Sequence, residues 1–89
     1  MTSSQSADTA KDEAQVALGQ LPIKVGQWYR HYKGGEYEVI ALALKEDTLE
    51  PLVIYRSPTH NDTVWARSWD DWNATIEWGG ESVKRFTKK

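Results

Sequence analysis

Arg, His and Lys interleave with two tyrosines in the run Tyr29, Arg30, His31, Tyr32 and Lys33. Cationic groups of these kinds make charge-assisted hydrogen bonds to phosphate and carboxylate. Phenol rings beside them give faces on which a base or another flat ligand stacks. The same pairing of cation and ring recurs at Tyr55 with Arg56 and at Trp65 with Arg67. Arg30, Arg56 and Arg67 fall on three different predicted strands. Brought together, their planar guanidinium groups could clamp an anion bidentately. The plainer reading pairs them across strands with Glu36, Glu38 and Glu50. Aromatic and charged residues also suit pleated surfaces and guarded sheet edges without any ligand.

Other chemistry finds less support. His31 titrates in the right range for acid–base work, but the chain supplies no evident nucleophile for it. Ser57 and Ser68 lack the glycine-flanked elbow of an activated serine. His31, His60, Glu50 and Asp62 show no metal-ligand spacing, and His60 reads as a solvated loop residue. Glu46, Asp47 and Glu50, and the pair Asp70 and Asp71, read as a solvated loop and a helix N-terminus. No catalytic residue, metal site or cofactor is therefore expected. Among the tryptophans, Trp28, Trp69 and Trp72 read as core or plug residues. Trp65 and Trp78 have the better prospect of exposure, where they could form an aromatic cage or peptide groove.

These residues need strands to position them. Gln27 to Lys33 alternates, with Trp28, Arg30 and Tyr32 on one face and Tyr29, His31 and Lys33 on the other. Gly34-Gly35 predicts a two-residue hairpin turn. Glu36 to Lys45 is the longest strand, apolar on both faces, as expected of a central or bent strand. Leu52 to Arg56 and Thr63 to Arg67 follow, separated by a loop marked by Pro58 and Asn61. Ser68 caps a short helical turn to Trp72. Thr75 to Trp78 and Val83 to Phe86 pair across Gly79-Gly80. The pattern predicts a mainly all-β fold, a small SH3-like partly open barrel of about five strands with one helical turn. That domain covers 24–87. Residues 1–23 form a polar tail, disordered over 1–8, with a short helix from Thr9 to Leu18 opened by Thr9 and Asp12 and stopped by Gly19.

Composition bounds the rest. The 89 residues allow one domain. With 39% hydrophobic and 11% aromatic residues, the chain is too apolar for full disorder. The absence of cysteine excludes disulfides, thiolate metal sites and Cys nucleophiles. No run is apolar enough for a membrane span or signal peptide, and the lack of cysteine fits an expected cytoplasmic location. The tail holds one base against three acids, and residues 24–89 hold ten of each sign, so the domain is near neutral. That balance argues against generic nucleic-acid binding.

The run Tyr29-Arg30-His31-Tyr32-Lys33-Gly34, continuing through Gly35-Glu36-Tyr37-Glu38-Val39, resembles the opening signature of a small bacterial family known only as a domain of unknown function. The resemblance continues over Glu46 to Arg56, through Trp65-Ala66-Arg67, and into Val83-Lys84-Arg85-Phe86. Ser68 stands where the family pattern has proline, and Trp72 where it has phenylalanine. The resemblance implies a compact β-rich fold and brings no activity with it.

The functional expectation is a non-catalytic binding module. Its surface would combine Tyr29, Arg30, His31, Tyr32 and Lys33 with Tyr55, Arg56, Trp65 and Arg67. The partner would be a small anion, a nucleotide or an acidic partner segment. The alternative is a protein–protein interaction module using an exposed aromatic groove or edge. A small enzyme using His31 with an acid such as Glu50 ranks third.

Overall fold

A computed structural model describes the backbone of residues 2–89 and the side chains of residues 9–89. The fold is mainly β, as the strand pattern predicts. Strands β1 (Trp28–His31), β2 (Glu36–Leu44), β3 (Pro51–Ser57) and β4 (Thr63–Ser68) form an antiparallel meander. A helical turn, α2 (Trp69–Trp72), leads to a separate hairpin of β5 (Thr75–Trp78) and β6 (Glu81–Lys84). The chain then returns as β7 (Phe86–Lys88) beside β1, giving the order β4-β3-β2-β1-β7. The five-stranded sheet is partly open, with β4 and β7 as its edges.

The centre of the sheet is bent for a reason visible in its register. Val39 faces Tyr55, but Ala41 faces Ile54, so Ile40 is an extra residue. Such a bulge bends the strand and reverses which side chains reach the core. Tyr37 and Val39 point inward before it, and Leu42 opposite Val53 points inward after it. That switch accounts for the apolar residues on both parities of β2.

The core is largely aromatic. Trp72 is buried and stacks on Phe86, with ring centroids 3.7 Å apart and 8° between planes. Tyr29 and Tyr55 meet Trp72 edge-on at 5.2 and 5.0 Å. The edge-to-face contacts match the ring quadrupoles, and all three contacts add to the burial of large surfaces. Ser68 positions the plug, since its hydroxyl accepts a hydrogen bond from the Asp71 backbone N–H at 3.1 Å. Ile23, before the first strand, also lies in this core.

Several sequence expectations shift. The first hairpin turn is four residues, Tyr32 to Gly35, rather than two. Tyr32 and Lys33 therefore leave the strand alternation. Gly35, at φ 91°, sits where a Cβ would come within 3.3 Å of the Tyr37 hydroxyl. Trp28 is not core but half-open on the outer face. Phe86 belongs to β7, not to the terminal hairpin, because the chain breaks strand geometry at Arg85. The first helix, α1, spans Thr2–Gly19. Thr9 and Asp12, expected to open the helix, lie inside it, and Met1 lies outside the described residues. No helix among the described residues is long and apolar enough to cross a membrane.

Candidate functional site

Pleating sorts the nine candidate residues into three places. Directly opposed residues on antiparallel strands share a face. Arg30 opposes Glu36, and Glu38 opposes Arg56, so these four lie on the outer face. Tyr29, His31, Tyr55, Trp65 and Arg67 lie on the core face. Tyr32 and Lys33 lie in the turn.

On the outer face the cations find carboxylates. Arg56 donates from Nε and Nη2 to Glu38 Oε1 at 2.9 and 2.6 Å, and from Nη1 to Asp62 Oδ1 at 2.6 Å. Arg30 meets Glu36 at 3.4 Å, and Lys89 meets the same carboxylate at 2.6 Å. The Lys89 hydrogen bond, joined by that of Arg30, holds Glu36 below the ordinary carboxylate range. The cross-strand pairing of Arg30 with Glu36 and Arg56 with Glu38 is therefore present, and the three arginines do not converge.

Arg67 differs. Among the described residues no carboxylate lies within ion-pair distance of it. Its Nε points to the Tyr55 hydroxyl at 3.4 Å, and its guanidinium stands 5.8 Å from the Phe86 ring centre. It borders a cleft of about 160 Å³ whose other walls are His31, Tyr37, Tyr55, Trp65 and Phe86. The ring of Trp65 is 48% exposed, so one wall is open to water. Tyr29 is no wall of the cleft: it is buried in the core against Trp72, with its hydroxyl donating to Gln27 Oε1 at 3.2 Å and its phenol held harder to ionise by that burial.

His31 is held in one orientation. Its Nδ1 accepts the Lys33 backbone N–H at 3.1 Å, which places the proton of the neutral ring on Nε2. Burial first, and then Arg67, Arg85 and Lys33, hold its pKa below the ordinary histidine value. At neutral pH the cleft thus presents a fixed arginine cation beside a neutral imidazole.

Tyr37 and Phe86 were absent from the sequence-based set. Tyr37 could have been found from the hairpin, because it directly opposes Tyr29. Phe86 carries no local signal, since β7 reaches β1 only through tertiary pairing. Two other features are weaker candidates. Ser57 Oγ lies 2.8 Å from His60 Nδ1, but Ser57 is 1% exposed and shut away from any substrate. A shallower depression of about 770 Å³ also touches Arg67, but Glu50, Asp70 and Asp71 line it and would repel an anion. Among the described residues, no cluster of His, Asp and Glu could hold a metal ion.

A family model described as "Protein of unknown function (DUF1653)" matches residues 27–88, the whole sheet and hairpin. The chain belongs to the DUF1653 family. It is similar to a solved DUF1653 protein from Bordetella bronchiseptica, with 31% identity and a TM-score of 0.63. The alignment covers 73% of this chain and 85% of that one. No curated protein matches. The DUF1653 match takes in every residue of the cleft and attaches no catalytic role to them.

Proposed function

We propose that this DUF1653 chain is a non-catalytic binding module that holds a flat anionic ligand of the mononucleotide kind in the core-face cleft. The observation that carries this reading is Arg67: a guanidinium without a carboxylate partner among the described residues, set among aromatic rings at an open edge. A cleft of about 160 Å³ accepts one aromatic ring, as an engineered cavity of ~150 Å³ accepts benzene. The ring would lie against Trp65 and Phe86, and its phosphate would meet Arg67 outside. Bidentate Arg–phosphate geometry supplies orientation as well as strength. Catalysis by His31 is disfavoured because cations, not an acid, surround it, and Glu50 lines a different depression. We place the chain in a bacterial cytoplasm on its freedom from cysteine.

Titration with adenosine monophosphate, followed by amide and indole NMR shifts, tests this. Movement is expected at His31, Trp65 and Arg67, weakening as salt rises. If adenosine monophosphate and inorganic phosphate both leave these signals in place, the proposal is wrong.

One observation favours a second reading. Strand β4 pairs only with β3, and Val64 and Trp65 are 56% and 48% exposed along it. An open edge of this kind can accept an extended peptide from a protein partner. Binding there would change little with salt and would move the β4 backbone amides whether or not Arg67 is present.

A further inference from the structure

A second cleft lies on the other side of His31. It measures about 230 Å³, and Tyr32, Trp78, Arg30 and Lys84 are among its walls, with His31 on the side of the first cleft. Tyr32 and Trp78 meet edge-on at 5.1 Å, and Trp78 is 51% exposed. The Lys33 ammonium hangs 5.7 and 5.8 Å from the two ring centres. Lys84 donates to the backbone carbonyl and Oδ1 of Asn73, both at 3.1 Å, and meets no carboxylate among the described residues. Rings link the clefts: Tyr32 lies 4.5 Å from His31, and His31 lies 5.0 Å from Phe86.

Two facts join these clefts into one site. Among the described residues, no aspartate or glutamate lines either of them. Each volume alone falls below the ~300 Å³ at which ordinary small-molecule sites begin, whereas the two together exceed it. Each cleft offers ring faces and at least one cation, and the imidazole between them is their shared wall. We infer that the two clefts hold adjacent units of one ligand: two nucleotides joined by a phosphodiester, as in a dinucleotide or a stretch of single-stranded nucleic acid. This rests on the mononucleotide reading of the first cleft and extends it. Stacking supplies affinity that tolerates base identity, and local cations serve the phosphates without a broadly basic domain.

Calorimetric titration of the full chain with adenosine monophosphate, 5′-phosphorylated diadenylate and an oligoadenylate of about eight nucleotides tests the inference. The diadenylate should bind about tenfold more tightly than the monophosphate, or better. Trp78→Ala and, separately, Lys84→Ala should remove that gain and leave monophosphate binding in place. An oligomer that matches or exceeds the diadenylate identifies a single strand as the source. A diadenylate that outbinds the oligomer identifies a free dinucleotide. Equal affinity for monophosphate and diadenylate would overturn the second subsite while sparing the first. So would a gain that survives both substitutions. If no nucleotide binds at all, the underlying reading falls as well.

Discussion

The two faces of the five-stranded sheet hold the same residue types and use them oppositely. On the outer face, Arg30 and Arg56 stand directly across from Glu36 and Glu38, and each cation is neutralised where it sits. On the core face, Arg67 stands across from Val53, and its Nε points to a phenol. An arginine becomes available for a ligand when its cross-strand neighbours are apolar. Pleat parity, set by register, decides which arginine that is.

Removing the aromatic plug would break this contrast most severely. Trp72→Ala deletes the ring stacked on Phe86 and wedged between Tyr29 and Tyr55. Large-to-small changes of this kind cost about 3–5 kcal/mol. A domain this small has on the order of 5 kcal/mol in all. Urea denaturation should show a chain largely unfolded before denaturant is added.

Arg67→Ala and Arg56→Ala should divide binding from stability. The first should weaken adenosine monophosphate at least about tenfold, the usual scale for losing a charged contact to phosphate, with little change in the thermal midpoint. The second should leave nucleotide affinity unchanged and lower the midpoint by roughly 2–5 °C, because it breaks two partly exposed ion pairs, to Glu38 and Asp62. If both variants bind equally, the distinction between faces has no functional meaning.

Acidification sharpens the comparison further. His31 has a folded pKa below its ordinary 6.5, chiefly through burial and then through Arg67, Arg85 and Lys33. Unfolding returns the imidazole to about 6.5. Between those values the unfolded chain carries more protons, so stability rises with pH across that window and falls as pH drops through it. A bound phosphate offsets the three cations and raises the His31 pKa, so nucleotide affinity should move the other way and increase on acidification. NMR titration of the ring should give a midpoint below 6.5, and Arg67→Ala should move it part-way back up. A midpoint unmoved by that substitution would remove Arg67 from the environment of His31.

The smallest effect belongs to the outer face. Arg30→Ala should shift the thermal midpoint by no more than about 1–2 °C, since an exposed pair screened by water contributes little. Its loss should leave the adenosine monophosphate signals of Trp65 unaltered.

Much of this molecule was readable in local pattern. The helical turn capped by Ser68, the hairpin across Gly79-Gly80 and the exposure of Trp65 and Trp78 all follow from residue types a few positions apart. The ion pairs of Arg30 and Arg56 were legible too, because a hairpin or meander brings near-sequence strands into opposition. The position of Phe86 was not, nor the exposure of Trp28, because each depends on how a distant segment closes against β1.

Residue order alone determined that the chain has strands, where most of them turn, and that cations and rings are interleaved along them. Only the folded sheet decided that Arg67 and His31 share a cleft while Arg56 faces away and Arg30 pairs with Glu36. The cause is the two-residue period of the strand. A single bulge at Ile40, or a four-residue turn in place of two, reassigns side chains between faces, and such choices are made by packing across the whole sheet.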